Sequence, residues 1–440
     1  MYKTLAHVTV NADFAVHTIL DFKMDSRLNH HTSVHLKGII ESNQLENISN
    51  MNPYSKITIS ADGELIFNGV IEMINVSHVA DYYEFELLSY SNSILYDLVK
   101  RKYSFQNISM SYTELFNEIN RNFSNGLINN FINEASTTGR LLIQYEETDW
   151  EFLMRLASFF NKPIAPSDLL NCPAIGFGIP GTHYDMDLFN IEHSVTNNEN
   201  GMIITVDNHV YMNVGSYINF NGNKMRIVSR VSFIENSLLI HKYGIKNEAD
   251  IFYKHYDNYN ITGVSLHGYV EKTKNYRVKI RLDIDGKNGE YWFKYATPYS
   301  SGGNGGWYAM PEIDDGIRVS VPDFDHNSYA IGAVNDVEST FRQNPDIKRF
   351  RTRFGKDIVI APEYIHIDSG SGHEIKLLDD GGIEILSASD ILLKSDKNIE
   401  LSAAKDITIN AKEGISLEQG KNYIAVKDDI KILGKHVYME

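Results

Sequence analysis

The sequence predicts a mainly β protein with minor α structure. Small β-barrels flank a helix-bearing segment, and the chain ends in a needle where three copies wind into one β-prism. Three observations predict this. An eight-residue repeat fills Glu374 to Lys421, period-two alternation recurs through the chain before it, and two capping boxes open helical stripes at Ser111 and Thr148.

The repeat reads EIKLLDDG, GIEILSAS, DILLKSDK, NIELSAAK, DITINAKE, GISLEQGK. Its second place holds Ile375, Ile383, Ile391, Ile399, Ile407 and Ile415; its fourth holds Leu377, Ile385, Leu393, Leu401, Ile409 and Leu417. A fixed period marks a repeat architecture. Places two and four share one face of a strand. The residue between them, as at Lys376, Glu384, Glu400, Thr408 and Ser416, points the other way, with Leu392 the exception. From the second block on, Gly382, Asp390, Asn398, Asp406 and Gly414 supply turn formers. Eight residues cannot coil around a core of their own, because at about 3.3 Å per residue one short side and a corner use them up. Three chains giving one side each per turn make a prism with Ile and Leu inside, so an obligate homotrimer is expected. A meander of hairpins is the alternative, but hairpins alternate turn types and rarely hold one period through six blocks.

Residues 1–105 carry alternating runs at Ala6–Val10, His35–Ile40, Lys56–Ser60, Glu64–Ile74 and Tyr82–Leu88. The hairpin turn is read as Ala61-Asp62-Gly63, and the strands make a small antiparallel barrel or sandwich. Residues 106–175 bring the helices. Ser111 with Glu114, and Thr148 with Glu151, form capping boxes. Leu115, Phe116 and Ile119, then Phe152, Leu153, Leu156, Phe159 and Phe160, form the apolar stripes. The carboxylates Glu146, Glu147, Asp149 and Glu151 crowd the second helix start, where acidic residues stabilise the N-terminus, so no catalytic role is assigned to them. Residues 176–262 return to strands around the Asn221-Gly222 turn and read as a second barrel. Residues 263–338 alternate clearly at Tyr276–Leu282 and Gly316–Val321, and 339–373 read as a linker to the needle and tip, 374–440.

Composition excludes several classes. The 440 residues have 42% hydrophobic and 11% aromatic side chains, too many for a disordered chain. A net charge of −16 argues against wrapping nucleic acid or an anionic membrane. Cys172 is the single cysteine, so neither a disulfide framework nor a thiolate metal cage is available. The start MYKTLAHVTVNADF lacks a signal-peptide pattern, and no apolar run approaches the ~20 residues of a membrane span. Folding in the cytoplasm is expected, with exit only as part of a particle. No H-E-x-x-H, G-x-S-x-G or C-x-x-C occurs, and SSGGNGG lacks the Lys and Ser/Thr of a phosphate loop. No catalytic residue and no cofactor are expected.

The octads resemble the C-terminal needle of spike proteins of contractile injection machines, the family of the VgrG proteins of type VI secretion and the central spike of contractile phage tails. Upstream segments are similar to the same family in the same order. Phe67-Asn68-Gly69 within GELIFNGVIEMINVSHVADYYEFELLSY resembles the first hub barrel, and IQYEETDWEFLMRLASFFN the hub signature. Trp292–Pro298, the Gly-rich loop before Trp307, the turn MPEIDDG and the strand IGAVND resemble its five-stranded OB barrel. The resemblance implies two similar hub barrels per chain and six in a trimer. It also implies a hexameric inner tube and baseplate proteins as partners, a PAAR-like tip protein, effector cargo and passing contact with a target membrane. Aromatics Tyr291, Trp292, Phe293, Tyr295 and Trp307 could stack bases on such a barrel, but Asp314, Asp315, Asp323 and Asp325 crowd it, so nucleic acid is not expected. At the tip, three copies of His436 could hold a metal on the axis, although a capping role is the expectation. The competing functions are a spike-borne wall hydrolase or toxin and a trimeric receptor-binding fibre.

Overall fold

The computed structural model describes residues 3–134, 136–188, 191–198, 201–251, 253–301, 305–333 and 343–426. The chain is mainly β and divides into two compact units, 1–336 and 337–440.

The first unit begins with β1 (Val8–Asn11), β2 (Thr18–Arg27), β3 (Ser33–Ile40), the short α1 (Leu45–Ser49), β4 (Lys56–Ala61), β5 (Glu64–Val79) and β6 (Tyr82–Ser91). They pair antiparallel in the order β1-β4-β5-β6-β3-β2. Their inward faces carry Phe22, Met24, Leu36, Ile59, Phe67, Phe85 and Leu87, which form one buried core. The two-residue turn Asp62-Gly63 joins β4 to β5 with positive φ at both positions, 56° and 76°, as a tight hairpin of this hand requires. Phe67-Asn68-Gly69 also acquires a physical meaning. A Cβ on Gly69 would stand 2.1 Å from the Tyr90 carbonyl and 2.5 Å from the Phe67 ring, so the buried phenyl needs a glycine two places on.

The helical segment follows: β7 (Arg101–Phe105), α2 (Tyr112–Asn120), β8 (Leu127–Asn130), β9 (Leu142–Glu147), α3 (Asp149–Ser158), β10 (Ile164–Pro166) and β11 (Ala174–Phe177). Both expected capping boxes form: Ser111 accepts from the Glu114 N–H, and Thr148 from the Glu151 N–H. The remaining acidic residues at the α3 start are held in ion pairs. Arg155 makes a forked pair with Glu147, 2.8 Å on each prong, and reaches Asp325 at 3.2 Å. Arg101 and Gln144 hold Asp149 at 2.8 and 3.0 Å, and Lys102 holds Glu146 at 2.8 Å.

A second strand group comprises β12 (His183–Leu188), β13 (His193–Asn198), β14 (Gly201–Asn208), β15 (Tyr217–Phe220), β16 (Asn223–Glu235) and β17 (Leu238–Lys246). Asn221-Gly222 makes the β15–β16 turn as expected. The two strand groups are not separate sheets. Strand β2, which the alternation missed, pairs with β16 from Lys23↔Phe233 to Arg27↔Ser229, and one 12-stranded sheet runs through both groups. At this junction Asp168 accepts from Arg230, Thr32 and Ser26, tying the helical segment to both strand groups. Arg230 is fully buried, its guanidinium 4.1 Å over the Tyr211 ring and donating to the Met212 carbonyl.

The last module of this unit is a five-stranded sheet in the order β20-β19-β18-β21-β22. Its strands are β18 (Ser265–Lys274), β19 (Arg277–Leu282), β20 (Phe293–Lys294), β21 (Gly316–Ser320) and β22 (Tyr329–Ala333). A bridge from Tyr295 to Ala330 draws the two ends of the sheet together. Its core of Val270, Val278, Ile280, Phe293, Ile317 and Val319 is completed from outside the module, because Leu141 and Ile143 pack into it fully buried. Phe293, one of the aromatics that the sequence offered for stacking, lies in this core.

The second unit starts where a linker was expected. Strands β23 (Lys348–Arg351), β24 (Asp357–Ala361) and β25 (Tyr364–Asp368) lie inside 339–373. They continue into β26 (His373–Leu378) and β27 (Gly382–Ser387) as one antiparallel meander. Octads one and two therefore form a hairpin around Asp379–Gly381, and not two successive sides of a prism within this chain. Turn formers at the block boundary permit this, and the i, i+2 face is the same either way. A second hairpin, β28 (Ile415–Gln419) with β29 (Asn422–Val426), explains the shift of register after octad six: Ile424 stands opposite Leu417.

Candidate functional site: an uncovered Ile and Leu face

Each strand of the meander alternates, and the register stacks the apolar positions. Ile358 and Ile360 of β24 lie opposite Ile367 and Ile365 of β25. Those lie opposite Ile375 and Leu377 of β26, which lie opposite Ile385 and Ile383 of β27. Phe350 of β23 extends the same face. Cross-strand partners share a side of the sheet, so these nine side chains form one patch. They remain 39–71% exposed. The sheet curls on this side into a trough of about 690 Å³ lined by Phe350, Ile358, Ile367, Ile375, Ile385 and Ile391.

The opposite face is polar and internally neutralised. Arg349 grips both oxygens of Asp357, its Nε at 2.9 and 2.8 Å, and holds that carboxyl below the usual carboxylate range. Glu374 accepts from Lys376 at 2.7 Å and contacts His366 at 2.9 Å, which likewise lowers it. Lys376 is raised in turn by Glu374. The sheet thus presents water with paired charges on one side and bare aliphatic side chains on the other.

From Asp390 to Gly414 the chain forms no strand, and bends recur at 396–397, 404–405 and 412–413. Ile391, Leu393, Ile399, Leu401, Ile407 and Ile409 are 55–70% exposed there. Ile415 is half-buried and Leu417 exposed in the last hairpin. Of the twelve residues picked from the repeat, eleven are therefore exposed and Ile415 is half-buried. The repeat did not reveal Ile358, Ile360, Ile365, Ile367 and Phe350, although the alternation in DIVIA and YIHID carried the signal. His436 lies outside the described residues, and among those described no cluster of three or more His, Cys, Asp or Glu is placed to hold a metal.

An uncovered apolar face of this size marks an interaction surface. Comparison with solved structures supplies the relatives. The E. coli c3393 protein, a component of the type VI secretion system with structural similarity to the T4 bacteriophage tail proteins gp27 and gp5, aligns with a TM-score of 0.56 at 12% identity. The alignment covers 74% of this chain and 99% of that one. The chain has a VgrG-like fold. The half-lidded Francisella PdpA-VgrG complex agrees, with a TM-score of 0.54 at 9% identity over 83% of each chain. The lidless PdpA-VgrG complex gives 0.54 at 10% identity over 83% of this chain and 93% of that one. No family model and no curated protein matches the sequence. At such identities the VgrG likeness resides in the course of the backbone.

Proposed function

We propose that the chain is the central spike and hub of a contractile injection machine, working as a homotrimer. The observation that carries this is the uncovered Ile and Leu face, continuous in pattern from Phe350 into the octads, on a chain with a VgrG-type fold. Three copies of the meander would turn their apolar faces to a common axis, and the unpartnered octads would continue as a three-chain prism. A prism of that kind has no free sheet edge and an aliphatic interior, which suits a part driven under load through a target membrane.

In this reading the strand groups at 1–105 and 176–262 are two hub barrels, six per trimer, which meet a hexameric inner tube and adapt six-fold to three-fold symmetry. The five-stranded module is an OB-type barrel. Baseplate proteins, a PAAR-like tip protein and an effector are the further partners. Assembly takes place in the cytoplasm within a particle that delivers the spike outward. The chain acts mechanically and not as an enzyme; the carboxylates at the α3 start, occupied in a cap and in ion pairs, support that.

Mass measurement by light scattering tests the trimer. A mass three times that of the 50.1 kDa chain is expected, and a stable folded monomer refutes the reading. Ile399→Asp should abolish trimerisation by bringing three carboxylates to one axis, at several kcal/mol each. Glu400→Lys should leave it intact, and equal damage from both would show that the inward row has been misassigned.

A further inference from the structure

The five-stranded module carries a second feature that the spike role does not use. On its outward face Lys272, Lys274, Arg277, Lys279 and Lys294 stand together, and the register sets like charges directly opposite one another. Lys272 faces Lys279, Lys274 faces Arg277, and Arg277 faces Lys294. Like charges so placed destabilise a sheet. None of the five forms an ion pair among the described residues, whereas the carboxylates on or just after these strands are engaged elsewhere. Glu271 accepts from the Gly289 N–H at 2.7 Å and pairs with Arg281 at 3.9 Å, and Asp283 holds His267 at 2.6 Å. Such a concentration runs against a chain of net charge −16.

We infer that this face is a docking surface for a short acidic segment of a partner protein. The charge requires an anion, and two details select a short peptide over nucleic acid. Bases bind such sheets by stacking on open aromatic rings, but the two rings beside these cations each carry one of them, Lys279 5.3 Å from the Trp292 centroid and Arg277 5.4 Å from that of Tyr276. The face is also bounded. Asp314 and Asp315 bond the Val270 backbone at the edge of the cationic field, so a long polyanion running past it would meet carboxylates. An extended acidic peptide has alternate side chains about 6.6 Å apart, the spacing of outward positions along β18 and β19. The cations lie on neighbouring strands about 4.8 Å apart, within reach of the same peptide.

The test uses the full-length protein with three probes: an octaglutamate peptide, an eight-nucleotide oligothymidylate, and vesicles containing phosphatidylglycerol. Binding is read from tryptophan fluorescence and by calorimetry at several salt concentrations. Octaglutamate should bind, weaken with salt, and bind about ten-fold less well to the Lys274→Glu, Arg277→Glu double variant. Lys37→Glu, on the first strand group, should bind like the parent. Should the double reversal fail to fold, the Lys274→Gln, Arg277→Gln pair serves in its place, with a smaller loss expected. The inference is overturned if octaglutamate does not bind or binds both variants equally. It is overturned equally if the oligonucleotide or the vesicles bind more tightly than the peptide.

Discussion

Replacing Arg155 with Met tests whether the junction of helix α3 with the five-stranded module is held by charge. The guanidinium is 4% exposed and serves two carboxylates, Glu147 at 7% and Asp325 at 6%, besides donating to the Ile143 carbonyl. Methionine fills much of the volume but leaves two buried carboxylates facing each other with no cation. Breaking a buried pair in this way costs about 3–5 kcal/mol. For the 1–336 unit, an unfolding entropy of about 2.1 cal/mol/K per residue gives roughly 0.7 kcal/mol/K, so a loss of about 4 kcal/mol lowers Tm by about 6 °C. Burial already pushes the Glu147 carboxyl up against the opposing pull of Arg155. Without Arg155 it rises further, and the folded variant then holds a proton that the unfolded chain releases. The deficit should therefore shrink as the pH falls towards the unfolded value near 4.5 and grow as it rises. Scanning calorimetry at two pH values measures both effects. Lys102→Met is the control: its pair with Glu146 is 44% exposed on each side and should be worth under about 1 kcal/mol. If Arg155→Met melts within a degree of Lys102→Met, the charge cluster does not hold the junction.

Gly69→Ala should destabilise the first strand group by about 1–3 kcal/mol, because the new methyl meets the Tyr90 carbonyl; urea unfolding of the purified variant measures it. Asp357, held low by Arg349, contributes stability that is present above its unfolded value near 3.8 and lost as pH falls through its folded value. Asp357→Asn should therefore flatten the acid limb of unfolding of the 337–440 unit, as followed by limited proteolysis across pH.

Local chemistry was legible in the sequence. Both capping boxes and the Asn221-Gly222 turn each depend on residues within a few places of one another, and of Ala61-Asp62-Gly63 the last two form the turn. What depends on distant partners was not legible. Strand β2 hid because TILDFKMDSR alternates imperfectly, and its pairing with β16 joins residues some two hundred places apart. Nothing near Arg230 in sequence announces that it will be buried against Asp168. The segment taken for a linker was misjudged because Arg and Asp on its polar face broke up the apolar count, although Ile358, Ile360, Ile365 and Ile367 keep a strict period of two within each strand.

Leu141 and Ile143, lodged in the core of the five-stranded module, set a rule for anyone recombining such chains. A chimera cut near residue 262 would remove the module from two of the side chains that fill it and leave two bare aliphatic groups on the donor half. At about 1.5–3 kcal/mol for each Leu or Ile returned to water, either fragment would lose a large share of a typical folding free energy. Exchange of the C-terminal unit should therefore succeed with junctions placed after this module and fail at the boundary that the strand pattern alone suggests.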